Sequence, residues 1–413
     1  MAVRIVVCFA LLSMALFGVD AKLTIEKDVE QRARVAVTDA SVLEAREVHR
    51  LFIADLKLSG HFLPDGTYRK GSFDATADAS MKKQEYAIVY RYDDMQGAKL
   101  DVKLIRTSDN KELFRKSYAV NREAKMPFLV HKAVYDINRF LTFPDIGWIN
   151  RYVLYARYTA PRKSEIGVAD YTFTYQKSII RGGLTLFPKW ADANRRSFYY
   201  TSLSGTVPTL YKLDLYTGKR TKIASGEGMI VCSDVSKDGS KLLLTMAPEG
   251  QPDIYEMDLK RGTKTRITRF KGIDVGGRYA DDGRVVVFVS NRLGYANIFK
   301  KRIGTKAVSQ VVFHGRNNNA CDAWGKKVVY ASRESRSAFK DNRFNIYLTD
   351  IDGLETRPLT TTGSNLSPHF SADGNVVLYT KRQGRKTKIG YINVESKQSL
   401  LFPLSGKLQS VDW

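Results

Sequence analysis

The side chains that most often carry chemistry are sparse in this 413-residue chain and stand apart from one another. Its five histidines, His49, His61, His131, His314 and His369, form no cluster with zinc-ligand spacing. No G-x-S-x-G elbow is present to expose a nucleophilic serine. Only His369 falls near an expected inner strand, where a packed channel-wall side chain is the expectation. Scattered carboxylates could converge through the fold and hold calcium, but the sequence singles out no metal set, and no cofactor or enzymatic activity is expected. Of the three cysteines, Cys8 lies in the apolar leader, while Cys232 and Cys321 fall in repeat units that are not neighbours and are expected as buried thiols.

The elements that must position any site are set by a repeat. Gly167, Tyr211, Tyr255, Phe299 and Tyr347 each follow a Leu or Ile at what reads as the end of a short strand. Their spacing is 44 residues three times and then 48, and Ile389-Gly390 adds a sixth copy 43 residues on. In phase with them run the turns Lys237-Asp238-Gly239, Asp281-Asp282-Gly283 and Ala372-Asp373-Gly374, each followed by an apolar, largely β-branched or aromatic run. Asp before Gly is what a tight turn requires, so Asp238, Asp282 and Asp373 are read as turn formers. Four strands per unit of this length is the period of a β-propeller blade. The first unit begins at Arg151 with its second strand, and the chain ends on Leu408-Gln409-Ser410-Val411-Asp412-Trp413, an inner strand with no blade behind it. The C-terminus is therefore expected to close a six-bladed ring and remove two open edges.

Residues 1–21 read as a cleavable signal peptide, with Arg4, an apolar stretch and a small residue at Ala21. No later stretch is apolar enough for a membrane-spanning helix, so an exported mature chain with no transmembrane segment is expected. The net charge of +23 survives cleavage because Arg4 and Asp20 cancel. In an exported protein such charge points to anionic envelope surfaces or acidic partners, and the basic run Lys381-Arg382 with Arg385-Lys386-Thr387-Lys388 stands out in the sixth blade. Nucleic-acid binding is not expected, because the aromatics recur with the blade period as core residues would.

Residues 22–141 form an expected α+β domain. Ser41 with Glu44 suggests a capping box before a helix carrying Leu43, Val48, Leu51, Phe52 and Leu56, stopped by Ser59-Gly60. A second helix starts at Pro127 and presents Val130, Ala133, Val134, Ile137, Phe140 and Leu141. Strands are expected over 34–37, 87–92, 100–106 and 113–120, making a small mixed sheet packed by two helices. Residues 142–147 read as the linker and 148–413 as the propeller. The arm 22–31 precedes the first core strand and could form an edge strand or dock on a partner.

With this organisation in place, the chain resembles the TolB family of the Tol-Pal system of Gram-negative envelopes. The match runs through Ile53-Ala54-Asp55-Leu56-Lys57-Leu58-Ser59-Gly60-His61-Phe62, Arg151-Tyr152-Val153-Leu154-Tyr155-Ala156 and Val168-Ala169-Asp170-Tyr171. Pro188-Lys189-Trp190, Pro368-His369-Phe370 and Val411-Asp412-Trp413 are similar to the family's Pro-x-Trp inner-strand repeat. Ser233 and Gly277 replace its Pro, and Val235 and Tyr279 its Trp. The resemblance implies a periplasmic adaptor, not an enzyme, working in outer-membrane integrity and constriction during division. It implies binding of the peptidoglycan-associated lipoprotein Pal at the propeller face through Met229, Ile230, Cys232, Asp274, Val275, Asn318, Asn319 and Asn365. It also implies binding of TolA through the arm residues Lys22, Leu23, Thr24, Ile25, Glu26, Lys27, Asp28 and Val29. Further outer-membrane lipoproteins or bacteriocins are additional partners by the same resemblance, and a monomer is expected. The alternative is a periplasmic propeller that binds peptidoglycan or an anionic glycan.

Overall fold

The computed structural model describes residues 32–75, 81, 83–335, 343–384, 386–404 and 406–413. The expected signal peptide and the arm residues Lys22 to Gln31 lie outside the described residues.

The N-terminal part is a mixed sheet of β1 (Ala33–Asp39), β2 (Phe62–Pro64), β3 (Arg69–Lys70), β4 (Tyr86–Asp93), β5 (Ala98–Arg106) and β6 (Lys111–Val120). β1 runs parallel to β2, β3 and β4, whereas β4, β5 and β6 form an antiparallel meander. Helix α1 (Arg46–Ser59) buries Val48, Leu51, Phe52 and Leu56, and α2 (Met126–Phe140) buries Val130, Ala133, Val134 and Ile137. Gly60 ends α1 in the left-handed region, and Pro127 sits in the first turn of α2, as the sequence suggested. The capping box does not form. α1 starts at Arg46, and Leu43 is exposed. The Asp39 carboxylate accepts the N–H groups of Ser41 and Ala45, both at 2.8 Å, while the Ser41 hydroxyl accepts the Tyr92 N–H. A buried carboxylate at the end of β1 thus organises the helix approach in place of a local Ser/Glu pair.

Residues from Val153 onward form six four-stranded antiparallel sheets, each one blade. The blades begin with inner strands Leu408–Asp412, Thr185–Trp190, Ile230–Val235, Asp274–Ala280, Arg316–Trp324 and Ser364–Phe370, numbered here blades 1 to 6. The C-terminal strand pairs with Val153–Ala160, with Val411 opposite Tyr155, so the ring closes as expected. The repeated marker lies inside the third strand of each blade and not at a strand end, near the beginning in blades 2 to 4 and about midway in blades 1, 5 and 6. Its second residue always faces a large side chain of the second strand: Tyr211 opposite Tyr200, Phe299 opposite Phe288, Tyr347 opposite Tyr330. Where blades 1 and 6 carry Gly167 and Gly390, the rings of Tyr155 and Tyr379 lie over the glycine, and an added Cβ would overlap them. The cross-strand aromatic contact is conserved in space by covering a glycine.

In this up-and-down order, loops that lead into inner strands and the hairpins between second and third strands emerge at one end of the ring, the rim face. The remaining turns emerge at the other end, and the N-terminal part sits there. Asn393 Nδ2 donates to Leu58 O and Ser59 O at the end of α1, and Tyr391 OH donates to Tyr171 O at 2.5 Å. Trp148, at the junction, packs edge-on against Tyr171 and Trp413. One buried apolar cluster runs from Val35 and Leu56 through Trp148 to Tyr391 and Trp413, joining head and ring. At its centre His131 is enclosed by Asp55 (Nδ1 to Oδ2 2.8 Å) and Asp170 (Nε2 to Oδ2 3.3 Å), and Tyr171 OH donates to Asp55. Burial would strip the imidazole of its proton, but the two carboxylates outweigh that and hold its pKa at about 9.

Candidate docking face and the channel beneath it

Six large apolar side chains remain exposed in the rim loops of blades 2 to 5: Leu203, Val207, Met229, Ile273, Leu293 and Phe313. Phe313 is 73% exposed, far from the burial that its type normally seeks. Two of them, Met229 and Ile273, follow from strand geometry. A chain entering an inner strand turns alternate side chains in and out, so Met229 points out and Ile230 in, and Ile273 points out while Asp274 is fully buried. Exposed apolar side chains grouped on the loops of one face make that face the candidate docking surface.

The residues singled out from sequence fall in this region but divide by burial. Met229 is exposed, and Val275 and Asn319 are half-buried. Ile230 and Cys232 are in the core between blades, and burial pushes the Cys232 thiol well up. Asp274 accepts from Arg292 at 2.9 and 3.1 Å and pins the blade 4 hairpin. Asn318 Nδ2 donates to Asn297 Oδ1 and His314 O, and Asn365 Nδ2 donates to Asn345 Oδ1 and Thr362 O. These five buried residues hold the rim loops in shape and offer no side chain to a partner. The outward members Leu203, Val207, Ile273, Leu293 and Phe313 were missed. An apolar residue beside a loop glycine, as in Gly272-Ile273 and Leu293-Gly294, could have found two of them, while Leu203, Val207 and Phe313 carry no such signal.

Beneath the rim, each inner strand sends one ionisable side chain toward the channel: Asp412, Lys189, Asp234, Arg278, Asp322 and His369 in blade order. Acid and base alternate around the ring. Lys189 Nζ lies 2.9 Å from Asp412 and 3.3 Å from Asp234, and Arg278 Nε lies 3.2 Å from Asp322. Each aspartate also accepts a main-chain N–H from the next blade: Trp190 at 2.8 Å, Tyr279 at 2.9 Å and Phe370 at 2.9 Å. Burial works against the Lys189 ammonium, yet Asp412 and Asp234 raise its pKa. His369, 3.7 Å from Asp322, stays neutral because burial depresses its pKa to about 4. The buried Cys232 and Cys321 are both free thiols, as expected. No group of three or more His, Cys, Asp or Glu side chains is arranged to hold a metal among the described residues. Nor, among these, is any helix long and apolar enough to cross a membrane.

This arrangement defines a class: a six-bladed β-propeller closed by its C-terminal strand, carrying an α/β head on one face and loops with exposed apolar side chains on the other. Residues 148–413 match the family model described as the TolB beta propeller domain. The Tol-Pal system protein TolB of Wolinella succinogenes is 43% identical over 99% of this chain and 100% of its own length. That of Helicobacter hepaticus is 37% identical over 98% of each. The chain belongs to the TolB family of Tol-Pal system proteins. The crystal structure of TolB from Acinetobacter baumannii covers 93% of this chain and 96% of its own with a TM-score of 0.74 at 23% identity, a likeness of fold.

Proposed function

We propose that this protein is a non-enzymatic periplasmic adaptor of the Tol-Pal system. It binds the peptidoglycan-associated lipoprotein Pal on the rim face of the propeller and TolA through the N-terminal arm, Lys22 to Val29, and so supports outer-membrane integrity and constriction. The observation that carries the reading is the arc of exposed apolar side chains on the face opposite the head, beside a channel whose charges are already paired with one another. Contacts on the rim come from Met229, Ile273, Phe313 and their outward neighbours, with Val275 and Asn319 at the edge of the arc.

Calorimetric titration of the mature protein with the periplasmic domain of its own Pal-type lipoprotein tests this. Because Met229 and Phe313 are exposed, a Met229→Asp, Phe313→Asp variant keeps the wild-type melting temperature and loses at least about tenfold in affinity, the usual consequence of removing anchor side chains. Equal affinity of variant and wild type would move the partner off this face.

A further inference from the structure

Part of the +23 charge gathers around one concave site. On the rim side of blade 6, the hairpin between Val376–Gln383 and Lys386–Asn393 and the loop leading to the C-terminal strand enclose a 590 Å³ cavity. Its walls are Arg382, Lys386, Thr387, Lys388 and Lys407, and its floor is Pro403 and Leu404. Among the described residues none of the four cations makes an ion pair, unlike Lys241 with Glu256 and Arg196 with Asp214, and the four are gathered around one concave site. Lys388 also stands directly opposite Lys381 across the strand pair. Like charges so placed destabilise a sheet, and burial together with Lys388 lowers the Lys381 pKa. A surface that keeps unopposed cations in a concave site is complementary to an anion that comes from outside.

We propose that this groove docks an acidic segment of a protein partner, a short run of Asp and Glu side chains. Its shape and chemistry favour that occupant. Lysine presents a point charge and arginine a fork that suits phosphate, and three of the four cations are lysines strung along a hairpin and the facing loop, which fits a row of separate carboxylates. The walls are concave, where a membrane headgroup plane would meet a flat or convex patch. None of the lining residues is aromatic, so the stacking platform on which a sugar would rest is missing from the groove. Leu404 and Pro403 give the backbone and methylenes of such a segment an apolar floor.

The test uses the mature protein and a fluorescent octaglutamate peptide at low ionic strength, read by anisotropy. Wild type binds, and a Lys386→Glu, Lys388→Glu, Lys407→Glu variant binds at least about tenfold more weakly, a loss of roughly 1.4 kcal/mol. A charge-matched control with Lys219→Glu, Lys222→Glu and Lys264→Glu, all exposed on blades 2 and 3, binds as wild type does. Equal weakening in both variants would reduce the effect to diffuse charge and overturn the proposal, as would wild-type affinity in the groove variant. Binding of phosphatidylglycerol vesicles or inorganic phosphate that depends on the groove lysines, without octaglutamate binding, would overturn it in favour of a phosphate ligand. The peptide is not the Pal-type protein, so failure here leaves the rim-docking reading standing, and the reverse holds as well.

Discussion

His131 lies enclosed between Asp55 and Asp170, while His369 lines the channel with a single carboxylate at 3.7 Å. The first has a folded pKa of about 9, above the ordinary 6.5. Its stabilisation is therefore fully present below pH 6.5 and is lost as pH rises through 9. The second is depressed to about 4. Between pH 4 and 6.5 the unfolded chain takes up a proton there that the folded chain refuses, so stability falls as pH drops through that window. Together they predict a maximum near pH 6.5, with each limb worth on the order of 1–3 kcal/mol. Urea unfolding as a function of pH checks this: His369→Gln flattens the acid limb, and His131→Gln flattens the alkaline limb while lowering stability by about 3 kcal/mol through the unpaired buried carboxylates. Apart from His369, expected on the channel wall, the channel residues were not legible in the sequence for a definite reason. They occupy the variable middle position of the Pro-x-Trp repeat, as in Pro188-Lys189-Trp190 and Pro368-His369-Phe370, and they alternate in sign. A search for recurring identity passes over a position whose rule is alternation.

Among the elements, the C-terminal strand and the end of α1 bear the most on the assembly. Asp412 fastens blade 1 to blade 2 through Lys189 and the Trp190 N–H. Asp412→Ala leaves the buried Lys189 ammonium with Asp234 as its one carboxylate and strands the Trp190 N–H, and a loss of about 2–4 kcal/mol is expected in chemical denaturation. Gly60 has φ 82°, and a Cβ there would come within 2.8 Å of Asn393 Nδ2, the group that ties the ring to α1. Gly60→Ala is expected to cost about 1–3 kcal/mol from the strained backbone and the weakened bonds, and Gly60→Ala combined with Asn393→Ala should cost less than the two single changes added. At this scale much was legible: the blade period, the Asp-Gly turns, the closing strand and both helices are written in local patterns. The false capping box at Ser41 shows the limit. Its true partner, Tyr92, lies 51 positions away on another strand, and the local Ser/Glu spacing carries no information about that contact.

For the molecule as a whole, the apolar cluster shared by head and ring means that the two parts do not unfold separately. A single calorimetric transition is expected, and two resolved transitions would show that the contacts of Asn393, Tyr391 and Trp148 bear little load. The same architecture gives the protein two unlike ends, one joined to the head, with Tyr216 and Leu354 exposed in its outlying turns, and one whose loops expose six apolar side chains. The sequence reading placed its candidate contacts in loops that do carry exposed side chains, but mixed outward Met229 with inward residues, because one residue of register at a strand entrance separates exposed Met229 from buried Ile230. The most direct measurement is hydrogen–deuterium exchange of the mature protein with and without the periplasmic domain of its Pal-type lipoprotein. Protection is expected in the rim segments 203–208, 226–229, 267–273, 291–296 and 311–315, with no change in the head-side turns 215–219, 259–263 and 351–356. Protection confined to the head-side turns, with the rim segments exchanging as in the free protein, would contradict the assignment of the rim face.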